Sequence, residues 1–300
     1  MDLGPKLETL RGSSKVMRAP TNLGIHLDGK TVVVIDTGLG EDKVRTLCRI
    51  LEREGLTPVA IVNTHCHADH CGGNAFMSRR TRSKIYAPSL EVGFIEDSEL
   101  HIRTLFSQAV PPTDPSMRLL KAERCKVDRQ VTLGETSVEE HHFSVMDLKG
   151  HSIGQIGLLS DDKVLYAGDA IFNKLVLEKH PVPFYVDPDE ARESIDRVLS
   201  SRAETIVLGH GEPLTMAETR EHAKNFRDCI DQTDKQILDL LDQPRTTEEV
   251  VSTICTQRGA GETLVQLLLA ETTIKGHLSS LARKNMLKFW QKNHRTYWSR

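Results

Sequence analysis

Several things are missing from this 300-residue chain, and each absence closes off a class of function. No stretch approaches the roughly 18 consecutive apolar residues that a membrane-spanning helix needs, and "MDLGPKLETLRG" at the start has no apolar core behind a basic head. A cytoplasmic protein without a membrane partner is the expectation. The six cysteines (Cys48, Cys66, Cys71, Cys125, Cys229, Cys255) contain no CxxC pair, which suits free thiols in a reducing compartment better than a disulfide framework. A global excess of positive charge is also absent. The formal net charge is -3, so any nucleic-acid contact must be local.

What is present is a regular alternation of elements. "TVVVIDT" (31 to 37) and "VAIVNTH" (59 to 65) read as buried strands, and Val44, Leu47 and Leu51 between them fall at helical spacing. "KIYAP" is a further strand. Residues 89 to 126 read as a loop-rich insertion with one helix near Leu100 to Phe106, because "VPPTDPS" breaks regular structure. Short apolar runs from Gln130 onward ("VTLG", "HHFSVMDLKG", "IGQIGLLS", "KVLYAGDAIF") read as successive strands. A helix over Asp189 to Ser200, the strand "TIVLGHG" and a long helix from near Thr215 follow.

The segment after Pro244 has a different pattern. Thr246 and Glu249 form a capping-box signature, Gly259 to Gly261 break the chain, and Ile274, Leu278 and Leu281 mark a second helix. "LKFW" and "TYWS" flank the polar "QKNHR" as a hairpin, so residues 234 to 300 read as a small winged-helix-like domain appended to residues 1 to 233.

The chemistry is concentrated in "NTHCHADHCGG". If His65 closes a strand, alternation points His65 and His67 to one side and Cys66 to the other, while the next turn brings Asp69 and His70 alongside. Two adjacent cations fit such a set. His151 in "KGHSIG", Asp169 in "AGDAIF", His210 in "LGHGE" and Asp36 in "IDTG" each sit at a strand end beside glycine, where α/β folds gather functional side chains. Solitary histidines (His26, His101, His180, His222, His294) are expected to be surface or structural, Cys66 and Cys71 buried bystanders, and His141-His142 a strand with one exposed ring.

Taken in order, Asp36, His65-x-His67-x-Asp69-His70, His151, Asp169 and His210 resemble the five motifs of the metallo-β-lactamase superfamily. The resemblance implies an α/β fold of the αββα sandwich type with metals at one edge of its two sheets. It implies that His65, His67 and His151 hold one metal, that Asp69, His70 and His210 hold a second, that Asp169 bridges them, and that Asp36 orients a ligand by hydrogen bonding. Two divalent ions, two aspartates and a bridging hydroxide would leave a charge of about +1, suited to an anionic transition state. Asp69 and Asp169 are thereby the carboxylates of the catalytic centre. Zinc is the first choice of metal, with iron and manganese compatible with the same nitrogen and oxygen set.

Within the superfamily, His67 stands where flavodiiron-type members carry glutamate, and Asp169 where β-lactamases carry cysteine. The resemblance therefore points to hydrolysis of a small ester, thioester or lactone, as in glyoxalase II-like members. A second expectation comes from the C-terminal segment, which is similar to that of lactamase-like endoribonucleases. Residues 272 to 300 hold seven Lys or Arg and no Asp or Glu, interleaved with Phe289, Trp290, Tyr297 and Trp298. A nuclease would use Lys284 and Lys288 on phosphate. The first expectation for this segment is structural, a solvated basic helix and a hairpin whose aromatics pack a small core; covering the active site or forming a homo-oligomer are the other roles. A non-catalytic regulator is disfavoured, because no ligand is missing.

Overall fold

The computed structural model describes residues 6–300; the first five residues of the segment expected as 1 to 233 lie outside the described residues. Two sheets stack face to face. The first has seven strands in chain order, β1 (Leu7–Arg11), β2 (Ser14–Met17), β3 (Leu23–Asp28), β4 (Thr31–Ile35), β5 (Thr57–Val62), β6 (Lys84–Pro88) and β7 (Arg129–Val131). The second has six, β8 (Gly134–Val138), β9 (His141–Asp147), β10 (Ile156–Ser160), β11 (Val164–Gly168), β12 (Thr205–Leu208) and β13 (Leu214–Thr215), ordered 13-12-11-10-9-8.

The apolar runs explain this layering. β4, β10 and β11 bury nearly every residue, as strands covered on both faces must. Val33, Ile35, Val62 and Tyr86 of the first sheet meet Phe143, Val145, Leu158 and Tyr166 of the second in the central layer. Outside the first sheet lie α1 (Glu41–Arg53), whose Val44, Leu47 and Leu51 face inward, then α2 (Ala68–Cys71), α3 (Asn74–Thr81), α4 (Val92–Glu96) and α5 (Ser98–Leu105). After the short α6 (Lys174–Lys179), the second sheet is covered by α7 (Pro188–Ser200) and by α8 (Met216–Leu240), which supply Ala191, Ile195, Phe226 and Ile230. The result is an α/β sandwich with helices on both outer faces.

β9 alternates as expected, with His141 buried and His142 exposed. The three strands β1 to β3 were not legible in the sequence. The insertion at 89 to 126 is more regular than expected: it carries α4, α5 and a 3-10 turn over Pro115–Leu120.

The C-terminal segment contains α9 (Thr247–Arg258), α10 (Leu264–Arg283) and a three-stranded sheet in which β16 (Arg295–Ser299) lies between β14 (Arg245–Thr246) and β15 (Lys288–Lys292). The Thr246-Glu249 capping box is formed, and Thr215-Glu218 and Thr263-Gln266 repeat the device. The boundary expected at 233/234 falls inside α8. Phe226 and Ile230 of that helix serve the second sheet, while Ile237 joins Val250, Ile254, Ile274 and Leu278 in the C-terminal core. Among the described residues no helix is long and apolar enough to cross a membrane.

Candidate metal centre

β4 pairs with β5 and β11 with β12 in parallel, so four carboxyl ends open on one edge of the sandwich. Asp36 follows β4, His65 to His70 follow β5, Asp169 follows β11 and His210 follows β12. His151 arrives from the turn between β9 and β10. The approach is close enough that a Cβ on Gly209 would lie 2.0 Å from an Asp169 oxygen, and Gly168 takes φ +53° to turn Asp169 inward.

All seven side chains expected at the centre meet there. One ligand atom each from His65, His67 and His151 lies within 4.8 Å of the others, and the same holds for Asp69, His70 and His210 and for His65, His70 and Asp169. His67 Nδ1 is 3.0 Å from His65 Nε2 and 2.8 Å from His151 Nε2. Asp169 touches both groups, at 3.5 Å from His70, His151 and His210 nitrogens.

The far nitrogens of four rings are all held. His151 Nδ1 donates to the Phe184 carbonyl at 2.9 Å, His210 Nδ1 to that of Pro20 at 2.6 Å, and His70 Nδ1 to Asp36 Oδ2 at 2.7 Å. His65 Nδ1 lies 3.0 Å from Thr64 Oγ1, whose own proton goes to Asp36 Oδ2. These bonds fix the tautomers and turn each Nε2 toward the centre. The decisive sign is His70 Nε2, which is buried and has no hydrogen-bond partner, an arrangement that costs free energy unless another group satisfies it. The donor set is all nitrogen and oxygen, and it fits divalent transition metals.

Charge follows the same division. Burial, reinforced by neighbouring histidines, holds His65 and His67 well below the usual imidazole range, and burial lowers His151. Burial is the largest influence on His70 and His210 and opposes their charge, but the carboxylates around them together outweigh it: Asp169, Asp36 and Asp69 for His70, Asp169 and Asp69 for His210. His70 rises well above its ordinary value and His210 to about 10. The Asp69 and Asp169 carboxyls are pushed up by burial, yet the adjacent His70 and His210 bring both below the normal carboxylate range.

Five contributors escaped the sequence reading. Glu91, wholly buried at the start of α4, accepts from Cys66 N (3.1 Å), Ser152 Oγ (2.6 Å) and Gly154 N (2.7 Å), tying the His65-His70 loop to the His151 loop. His101 was expected among the solitary histidines, yet its ring centroid lies 5.1 Å from that of His67, and burial lowers it to about 4. Tyr185, His277 and Asp234 form a buried chain: Tyr185 Oη donates to His277 Nε2 at 2.8 Å and His277 Nδ1 to Asp234 Oδ1 at 2.6 Å. Nothing in the local pattern around these residues signals a long-range partner. Cys66 and Cys71 are buried, and burial raises both thiols well above their ordinary range; Cys66 also lies within ligand distance of His67 and His101.

The sequence profile of the metallo-beta-lactamase superfamily matches residues 20–210. The chain belongs to that superfamily. It is a metallo-hydrolase by fold and by kinship. Among curated relatives, a probable metallo-hydrolase of Bacillus subtilis, YflN, is 27% identical over 65% of this chain and 78% of its own length. The acyl-coenzyme A thioesterase MBLAC2 of Bos taurus is 29% identical over 59% of this chain and 68% of its own. The hydroxyacylglutathione hydrolase of Xanthomonas campestris is 26% identical over 65% and 62%. A solved metallo-beta-lactamase family protein from Thermus thermophilus is 20% identical, covers 99% of both chains and superposes with a TM-score of 0.69. A beta-lactamase domain protein from Burkholderia ambifaria is 18% identical with a TM-score of 0.71, over 100% of this chain and 95% of its own. These two structures match the fold through the C-terminal segment as well.

Proposed function

We propose that this superfamily member is a cytoplasmic hydrolase of small acyl substrates, an ester, thioester or lactone, working with two divalent ions, zinc first. His65, His67 and His151 would hold one ion and Asp69, His70 and His210 the other, with Asp169 between them. The single observation that carries the reading is the convergence of seven donors around an orphaned, buried His70 Nε2. When bound, such ions supply Lewis acidity and a hydroxide nucleophile near neutral pH.

The chain's own residues do the positioning. Asp36 accepts a hydrogen bond from His70 Nδ1–H and, through Thr64, aligns His65; the Phe184 carbonyl aligns His151; Phe172, Phe184 and Pro20 line the cavity beside the centre. Ser152 and Cys66 lie beside Glu91, but that buried carboxylate is already engaged as acceptor to Cys66 N, Ser152 Oγ and Gly154 N, which supports direct hydrolysis without an acyl-enzyme.

The surroundings support a small molecule over nucleic acid. The centre lies at the base of a cavity of about 760 Å³ walled in part by residues 259 to 261 and by Gln266, Leu269 and Ala270 of the C-terminal segment. That segment's basic residues are partly engaged: Lys284 pairs with Asp189, and Arg283 with Asp187 and Asp189 of α7. Lys288 stays exposed. The names of the thioesterase and hydroxyacylglutathione hydrolase relatives agree with an acyl substrate.

Metal analysis of the purified protein, followed by a panel of thioester, lactone, ester, phosphodiester and RNA substrates, tests the reading. His67→Ala should lose metal and turnover together. Retention of both ions by that variant sinks the ligand assignment, and salt-dependent RNA cleavage with no acyl turnover moves the function to a nuclease.

A further inference from the structure

Beyond the metal-facing floor, the 760 Å³ cavity has an apolar wall built from three distant segments. Leu119 and Leu120 come from the 3-10 turn of the insertion, Val182 and Phe184 from the loop after α6, and Leu269 and Ala270 from α10. Apart from the histidines and aspartates of the centre, the charged residues of the lining are Glu178 and Lys179, both exposed.

The wall is fixed in place. Ile102 and Met117 of the insertion interlock with Val265 and Leu268 of α10 in a separate buried cluster, against which Leu120 and Leu269 pack. At the opening Leu119 is 55% and Leu175 73% exposed. Covering such side chains with apolar groups releases water-facing surface and is favourable.

We propose that this wall holds the acyl chain of the substrate, an unbranched aliphatic chain of several methylenes, and that Leu269 sets the length accepted. The proposal rests on the acyl-hydrolase reading above. In the reaction water adds at the acyl carbon, the bond from that carbon to the leaving oxygen or sulfur breaks, and the leaving atom takes a proton. The products are the free carboxylic acid and an alcohol or thiol. The chain along the wall keeps the acyl carbon over the metal-facing floor. Because Leu269 and Ala270 of the wall come from α10, the C-terminal segment is a specificity element of the cavity.

The test uses the full-length, zinc-loaded protein with p-nitrophenyl esters from acetate to decanoate, and calorimetry with the matching free carboxylates. kcat/KM and carboxylate affinity should each rise about fourfold per added methylene until the wall is filled. Leu269→Trp should shorten the series, lowering the decanoate-to-butyrate ratio at least tenfold in both measurements. Leu120→Trp, which narrows the same wall from another segment, should do likewise and serves if the first variant fails to fold. A flat series, or one untouched by both tryptophans in folded protein, overturns the proposal. If no ester turns over while carboxylates still bind in a tryptophan-sensitive series, the chain site stands and the hydrolase reading falls. Turnover with a flat series has the opposite meaning.

Discussion

Glu91→Gln examines how the two ligand-bearing loops are held together. The native carboxylate accepts three hydrogen bonds out of contact with water, from the backbone between His65 and His67 and from Ser152 and Gly154 beside His151. Glutamine keeps the volume and one acceptor oxygen, which can still serve Ser152 and Gly154. Its amide nitrogen must then face the Cys66 N–H, donor against donor. An unsatisfied buried donor costs about 1 to 3 kcal/mol, and the charge-assisted character of the other two bonds is lost as well. The expected destabilisation is therefore about 2 to 4 kcal/mol, a sizeable share of the about 5 to 15 kcal/mol available to a folded domain. The urea midpoint should fall with an unchanged m-value. In protein that remains folded, both loops relax, so chelators should remove metal about 10- to 100-fold more readily, as when other groups that support ligands are lost. Glu91→Ala leaves all three donors bare and should cost more than Glu91→Gln. A Glu91→Gln protein with the native midpoint and native resistance to chelator refutes the clamp.

Asp36→Asn probes the His70 support without disturbing the backbone, because Asp36 sits at φ +61° and asparagine tolerates that region well. His70 and Thr64 lose a charged acceptor, and metal affinity measured by chelator competition should drop about 10- to 100-fold. A separate pH dependence arises away from the candidate metal centre, where His26 and His141 share an Nδ1 to Nδ1 contact of 2.9 Å. Burial lowers both, His141 to about 4, whereas the unfolded rings titrate near 6.5. As pH falls from about 6.5 toward 4 the unfolded chain takes up protons that the folded one resists, so this stability is complete above about 6.5 and is lost on acidification. Urea midpoints across that range should show the fall, and His141→Gln should flatten it; an identical slope in the variant removes the pair as its cause.

The parts of this molecule legible in the sequence are those encoded locally. β-branched runs gave β4 and β5, and the Thr246-Glu249 spacing gave the start of α9, because strand burial and capping depend on neighbours a few residues away. The ligand motifs could be read for a related reason: each lies at the carboxyl end of a strand next to glycine. β1 and β2 were illegible because at the sheet edge "LETLR" stays only half-buried and "SKVM" is too short for a periodicity to register. Glu91 was illegible for the opposite cause. Its three partners lie 25 to 63 residues away, and an acidic residue opening a five-residue helix looks like any surface charge until the chain is folded. His277 is a similar case, its role being visible only when Tyr185 and Asp234 close on it.

The same long-range contacts bear on where one unit ends and the next begins. Tyr185 N donates to Thr273 Oγ1 of α10, and Tyr185 Oη reaches His277 on the same helix, which is anchored in turn to Asp234 of α8. Phe184, the residue before Tyr185, offers the carbonyl that holds His151 Nδ1 and a ring that lines the cavity. α10 therefore acts on the centre twice, as a wall through Leu269 and as the support of the loop that aligns His151. With Ile230 and Ile237 of the continuous α8 serving two different cores, a cut at residue 234 would sever a helix that both need. The C-terminal segment is in this sense built into the wall of the cavity, and its packing there, more than its surface charge, accounts for the burial of Tyr185 and His277.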